Sequence, residues 1–187
     1  MKKVTLIFVF TFIMLLSGCG QKKLDISKLE KKGDILYIKD KDVPFEGIAI
    51  IRYPESNKIE VESEYINGIK YGKETGYYEN GKKEYEVNYS NGKKSGLMKE
   101  YTIDGKLHIE VEYVEGMLHG KEKEYYPNKK LKRMTNYKDN KLDGEEIEYD
   151  EGGKIKTKLF YENYKLSGDY FKYYENSNIK LQTTYRD

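Results

Sequence analysis

Six glycines constrain this chain more than its composition does. Gly72, Gly96, Gly120, Gly144 and Gly168 follow one another at intervals of 24 residues, and Gly47 precedes them by 25. Tyrosines keep the same step. Tyr77, Tyr101, Tyr125, Tyr149 and Tyr173 stand five residues after the glycines from Gly72 on. Tyr89, Tyr113, Tyr137, Tyr161 and Tyr185 stand seventeen after them, with Tyr65 the counterpart in the first copy. A fixed period of this length marks a repeat array, in which each copy is a small unit that cannot bury its apolar face alone.

Turn signals fall twice in each copy. Asn67-Gly68, Asn80-Gly81, Asn91-Gly92, Asp104-Gly105 and Glu115-Gly116 are spaced alternately by 13 and 11 residues, and such pairs between alternating runs specify tight hairpins. Later copies keep the spacing through Asn128-Lys129, Asn140-Lys141, Gly152-Gly153, Asn163-Tyr164 and Ser177-Asn178. The second strand of each copy alternates with period two, as in Tyr85, Val87, Tyr89 and in Ile109, Val111, Tyr113, so one face is aromatic and apolar and the other charged. The fold class that follows is all-β: an elongated antiparallel meander of stacked two-stranded hairpins. The repeat domain spans residues 33–187, with six copies starting near 47, 72, 96, 120, 144 and 168.

The repeat glycines, lacking Cβ, are expected to form a floor over which tyrosine rings from both strands lie and stack on one face. One irregularity is a candidate binding feature. Lys121, Lys123 and Arg133, with Lys99 in the copy before, occupy positions expected to face inward, where they either cover tyrosine rings or form a basic notch for an acidic group. His108 and His119 are the only histidines, and neither has partners for a metal or a catalytic nucleophile. No G-x-S-x-G, Walker, Rossmann or H-E-x-x-H pattern occurs. The chain therefore reads as non-enzymatic, with no catalytic residue, metal or cofactor expected.

The first 18 residues are set apart. Met1, Lys2 and Lys3 precede an apolar run from Val4 to Leu16, too short to span a bilayer comfortably. Leu16-Ser17-Gly18-Cys19 resembles a bacterial lipobox, which makes residues 1–18 a cleaved lipoprotein signal peptide and Cys19, the only cysteine, the lipid attachment site. Residues 19–32 read as a lysine-rich tether with a short helix from Ile26 to Lys31. Removing the leader takes away Lys2 and Lys3 and leaves 32 basic and 32 acidic side chains. A neutral chain has no electrostatic reason to bind nucleic acid or anionic lipid, so the lipid alone would hold it to a membrane. The expected location is the cell envelope.

The run Gly72-Lys73-Glu74-Thr75-Gly76-Tyr77-Tyr78-Glu79-Asn80-Gly81-Lys82, followed by a strand ending in Tyr89 and by Asn91-Gly92-Lys93, resembles the bacterial variant of the MORN repeat from about Phe45 to Asp187. The resemblance implies an elongated array of β-hairpins that presents a surface to a protein partner. Proteins of this kind are also grouped with the YwqK-type antitoxin family, which implies neutralising a toxin by direct binding; a carbohydrate- or lipid-active enzyme is the remaining alternative. The final strand, Ile179 to Tyr185, is expected to offer an open edge for self-association.

Overall fold

A computed structural model describes residues 21–186. The expected signal peptide, residues 1–18, and Cys19 lie outside the described residues. One 14-stranded sheet dominates the structure, as the periodicity predicts. Its repeating part runs β4 (Gly47–Arg52), β5 (Ile59–Ile66), β6 (Ile69–Tyr77), β7 (Lys83–Ser90), β8 (Lys93–Tyr101), β9 (Leu107–Val114), β10 (Met117–Tyr125), β11 (Leu131–Lys138), β12 (Lys141–Tyr149) and β13 (Ile155–Glu162). The last hairpin is β15 (Gly168–Tyr173) and β16 (Ile179–Tyr185), with the two-residue β14 (Lys165–Leu166) beside β13. From β4 on, neighbours in sequence are antiparallel neighbours in the sheet, except that β15 pairs with β13 and not with β14, the connection that short turns allow.

Residues 21–32 are built into the fold and are not the tether that their lysines suggest. β1 (Lys23–Asp25) pairs in parallel with β4, a 3-10 turn covers Ile26–Lys28, and β2 (Leu29–Lys32) forms a hairpin with β3 (Ile35–Ile38). Asp25 caps the turn by accepting from the Ser27 amide. Leu29, Leu36, Phe45 and Ala49 are buried together against Leu24, Ile38 and Tyr65. Leu24 and Leu29 supply the apolar contacts that the charged background hides. This unit closes the first edge of the array, as terminal repeats must.

Each copy carries two irregularities in register. On the side facing the preceding strand, three residues around the repeat glycine oppose one: 71–73 oppose Glu64, 119–121 oppose Glu112 and 143–145 oppose Asn136. In these three copies the glycine sits at the middle of the bulge; in β8 the three residues are 96–98, opposite Val87, with Gly96 first. All five glycines from Gly72 to Gly168 have positive φ, from 69° to 112°. The expected tyrosine floor is absent there. A Cβ at Gly72 or Gly120 would meet the carboxylate of Glu64 or Glu112, and at Gly96 or Gly168 nothing within 4 Å. Backbone conformation, not a ring, requires these glycines. The ring lies over a different residue: a Cβ on Gly76 would be 2.2 Å from Cε1 of Tyr85.

The second irregularity lies at the other end of the strand, between Gly76 and Tyr77, Glu100 and Tyr101, Glu124 and Tyr125, and Glu148 and Tyr149. Residues directly opposite share a face. Tyr65, Tyr89, Tyr113 and Tyr137 therefore lie on the inner face with buried Val87, Met98 and Val111. Tyr77, Tyr101 and Tyr125 lie on the outer one, where their hydroxyls reach outer-face glutamates. The two tyrosine series do not stack on one face. Ammonium groups occupy ring faces instead, Lys70 over Tyr89 and Lys94 over Tyr113 at 4.9 Å each.

Candidate functional site

The two rims of the sheet are joined differently. At the tight-turn rim each hairpin ends in two residues of positive φ: Asn67-Gly68, Asn91-Gly92, Glu115-Gly116, Asp139-Asn140 and Asn163-Tyr164. The fourth of these lies one residue earlier than the sequence suggests. Backbone bonds tie each turn to the previous copy, from Gly92 N to Lys70 O, Gly116 N to Lys94 O, Asn140 N to Leu118 O and Tyr164 N to Leu142 O, all at 2.8–2.9 Å.

Side chains join the wide-turn rim. Tyr53, Tyr78 and Tyr126 donate their hydroxyls to the carbonyls of Tyr77, Tyr101 and Tyr149 at 2.7–2.8 Å. Asn80 and Asn128 donate to the carbonyls of Ile103 and Glu151, and Lys82 and Lys130 to those of Asp104 and Gly152. Sequence reasoning missed this clasp. Its signal was present in the doubled tyrosines Tyr77-Tyr78, Tyr125-Tyr126 and Tyr173-Tyr174, of which only the first members were given a role.

The outer face is a lattice of hydrogen bonds and ion pairs. Tyr77, Tyr101 and Tyr125 donate to Glu62, Glu86 and Glu110 at 3.2, 2.7 and 2.7 Å, each fifteen residues back. Burial, aided by those carboxylates, pushes the Tyr101 and Tyr125 phenols up to about 12. Lys73 and Lys83 converge on Glu86 at 2.9 and 2.8 Å. These partners neutralise a face that would otherwise repel itself.

The lysines singled out from sequence belong to this outer face. Lys123 stands opposite Glu110 and Met134, and Lys121 opposite Asn136. Lys99 lies 3.6 Å from Glu110. Arg133 alone points inward, opposite Glu124, with its guanidinium 3.3 Å from that carboxylate and 3.8 Å from Glu122. The basic notch does not form, because the bulge at Gly120 changes which residues count as inward. His119 pairs with Asp139 at 3.1 Å at the surface. His108 lies between two wide turns. Among the described residues no group of three or more His, Cys, Asp or Glu is placed to hold a metal.

The inner face holds carboxylates that the sequence alternation assigns to no role. Glu74 is buried and accepts from Ser63 Oγ at 2.6 Å, from the Tyr85 and Tyr89 hydroxyls at 3.3 Å each, and from the Lys70 ammonium. Burial raises its pKa, but the donors from Lys70 and Ser63 outweigh burial and hold it below the ordinary range. Burial leaves Glu122, at the same place two copies on, above that range, since Arg133 offsets only part of it and Glu124 adds repulsion. A further cleft of about 410 Å³ lies under the β2–β3 hairpin against Tyr65, Ile69, Lys70 and Lys93. Both lysines are engaged there, Lys70 by Glu74 and Lys93 by Glu115.

Comparison with known families places four segments in the MORN repeat variant: residues 70–91, 118–139, 142–163 and 166–187. Each runs from the first strand of a copy through its wide turn to the second strand. No curated protein matches the chain.

Proposed function

We propose, from MORN-variant repeats as the premise, that this is a non-enzymatic, lipid-anchored envelope protein whose sheet serves as a binding surface for another protein. MORN repeats suggest binding or scaffolding. One observation carries the reading further: a hydrogen-bonded frame repeats almost unchanged from copy to copy, while the side chains it displays change. The position one residue after the repeat glycine is Lys73, Leu97, Lys121, Glu145 and Asp169 in turn, exposed in every copy but the half-buried Glu145. A frame held constant beneath varied side chains suits recognition of an extended partner.

The anchor is proposed at Cys19. Only three residues separate it from β1, so even a fully extended link would hold the first edge within roughly 14 Å of the lipid. The array would then stand beside the membrane on a short link. A second proposal concerns β16, which among the described residues is bonded on one side only and leaves Ile179, Leu181 and Tyr185 exposed. That edge suits pairing with a strand of a second copy.

Metabolic labelling with a fatty acid, comparing the natural chain with Cys19→Ser, tests the anchor; equal labelling of both would end it. Affinity capture from envelope extract with lipid-free protein tests the binding surface. Recovery of no protein that is lost on substituting sheet residues would refute the scaffold reading. Sedimentation of the protein with and without residues 179–187 tests the edge, and identical monomers at high concentration would exclude it.

A further inference from the structure

The wide-turn clasp fails at one junction. Six residues after Gly47, Gly72 and Gly120 stand Tyr53, Tyr78 and Tyr126; six after Gly96 stands Thr102. Its hydroxyl folds back on its own turn, to the Asp104 carboxylate and the Lys106 carbonyl. Asp104 occupies the place of Asn80 and Asn128 and has no N–H to donate. Lys106 directs its ammonium to Asp104 at 2.9 Å, whereas Lys82 and Lys130 reach the next turn. Two substitutions, tyrosine to Thr102 and asparagine to Asp104, thus remove two clasps from one junction, and the third is lost because the retained Lys106 turns to Asp104. The turn at Asp150 also lacks the tyrosine, yet there Lys154 still reaches the Glu175 carbonyl at 2.7 Å.

What remains is a cleft of about 430 Å³ between the turns, lined by Thr102, Leu107, His108, Tyr125, Tyr126 and Pro127, with Lys132 at its edge. Its size and mixed lining fall within the range of small-ligand sites. Its walls are fixed: Tyr125 donates to Glu110 at 2.7 Å, Tyr126 to the Tyr149 carbonyl at 2.8 Å, and Lys132 lies 2.6 Å from Glu124. In the flanking junctions the equivalent carbonyls, of Tyr101 and Tyr149, each accept a tyrosine hydroxyl. The Tyr125 carbonyl receives no side-chain donor among the described residues.

We infer that this cleft is a binding site for a phenol ring, and specifically for a tyrosine side chain of a partner polypeptide. The repeat supplies the argument. Tyr78 and Tyr126 occupy the corresponding space on either side, so the array itself displays the occupant that fits. A partner's ring would lie against Leu107, Pro127 and Tyr125 and donate its hydroxyl to the Tyr125 carbonyl. The inference rests on the binding-scaffold reading for the source of the tyrosine alone; the cleft's preference for a phenol stands on its geometry.

The test is titration of isotope-labelled protein with p-cresol, toluene and N-acetyl-tyrosinamide, followed by amide resonances. p-Cresol is expected to shift Thr102, Leu107, His108 and Tyr126, and toluene to bind about fivefold more weakly for want of one hydrogen bond. Thr102→Tyr, which restores the residue its neighbours carry, should abolish binding and raise the melting temperature. The mapping with natural protein needs no variant. Absence of p-cresol shifts at these residues, or equal binding of p-cresol and toluene, overturns the phenol site. Binding of p-cresol without N-acetyl-tyrosinamide overturns the polypeptide as its source and leaves the scaffold reading untouched. Retention of p-cresol binding by a folded Thr102→Tyr protein places the ligand elsewhere and also overturns the site.

Discussion

Substituting Gly96 and Gly76 separates two reasons for glycine within one repeat. At Gly96 φ is 76° and a Cβ would meet nothing within 4 Å, so alanine is opposed by conformation alone. An L-residue in the left-handed region costs about 1–2 kcal/mol, and the narrower unfolded ensemble of alanine returns about 0.4–1 kcal/mol. The expected net loss for Gly96→Ala is about 1 kcal/mol. Gly96→Asn should lose less, since asparagine already adopts this conformation at Asn67, Asn91 and Asn163. Gly76 has no positive φ, but its Cβ would lie 2.2 Å from the Tyr85 ring. That ring is held to Glu74 by its hydroxyl, so Gly76→Ala should cost about 1–3 kcal/mol through overpacking, and Gly76→Asn more. Urea unfolding followed by tyrosine fluorescence and far-ultraviolet dichroism reads these losses, since 1 kcal/mol moves the midpoint by about 0.3–1 M. If Gly96→Ala left the midpoint in place, or if asparagine cost as much there as alanine, backbone conformation would not be the reason for the period.

The clasp is tested by Tyr78→Phe, which keeps the ring and removes the hydroxyl at 2.7 Å from the Tyr101 carbonyl; a loss of about 0.5–1.5 kcal/mol is expected in the same urea titration. Glu86 supplies a pH dependence: hydrogen bonds from Lys83, with Lys73 and Tyr101, hold its carboxyl down from 4.5 to about 2. Because the folded value is the lower one, this stability is present above pH 4.5 and lost as pH falls towards 2. Glu86→Gln should therefore flatten the acid limb of a stability-against-pH curve by about 1 kcal/mol after allowance for solvent screening, and an unchanged limb would discount the ion pairs. Phe45 is fully buried at the capped edge, so Phe45→Ala should cost about 3–5 kcal/mol. Hydrogen exchange should show the opening confined to β1–β5.

The strand order was legible because turn residues and period-two alternation are local signals, and each hairpin here forms from adjacent segments. Face assignment was legible only in the second strands. In the first strands a bulge of positive-φ glycine inserts residues that alternation cannot count, so Lys121 and Lys123 appeared inward when they stand opposite Asn136, Met134 and Glu110. The cap was hidden for another reason: Leu24 and Leu29 are spread among lysines and acquire a common side with Leu36 only when β1 pairs with β4 and β2 with β3. Glu74 illustrates the same limit, since the donors that hold it lie on three strands, β5, β6 and β7, and meet only in the folded sheet.

The contrast between the rims explains where such an array can vary with consequence. At the tight-turn rim the link between copies is a backbone bond, and it persists as the turn changes from Asn91-Gly92 to Asp139-Asn140 to Asn163-Tyr164. Losing the turn glycines after Gly116 therefore alters local strain without opening the seam. At the wide-turn rim the link is made by tyrosine, asparagine and lysine side chains, and each substitution removes a bond outright. The same three positions that fasten copies 72 and 120 to their successors leave copy 96 unfastened, with Thr102, Asp104 and Lys106 turned upon themselves. Since stability in an array is a sum of nearest-neighbour terms, one open junction weakens the whole only by its own share while its two sides remain held by β9–β10 and β10–β11 pairing. A repeat protein can therefore carry a single vacant junction at small cost, and the vacancy inherits its shape from the side chain its neighbours place there.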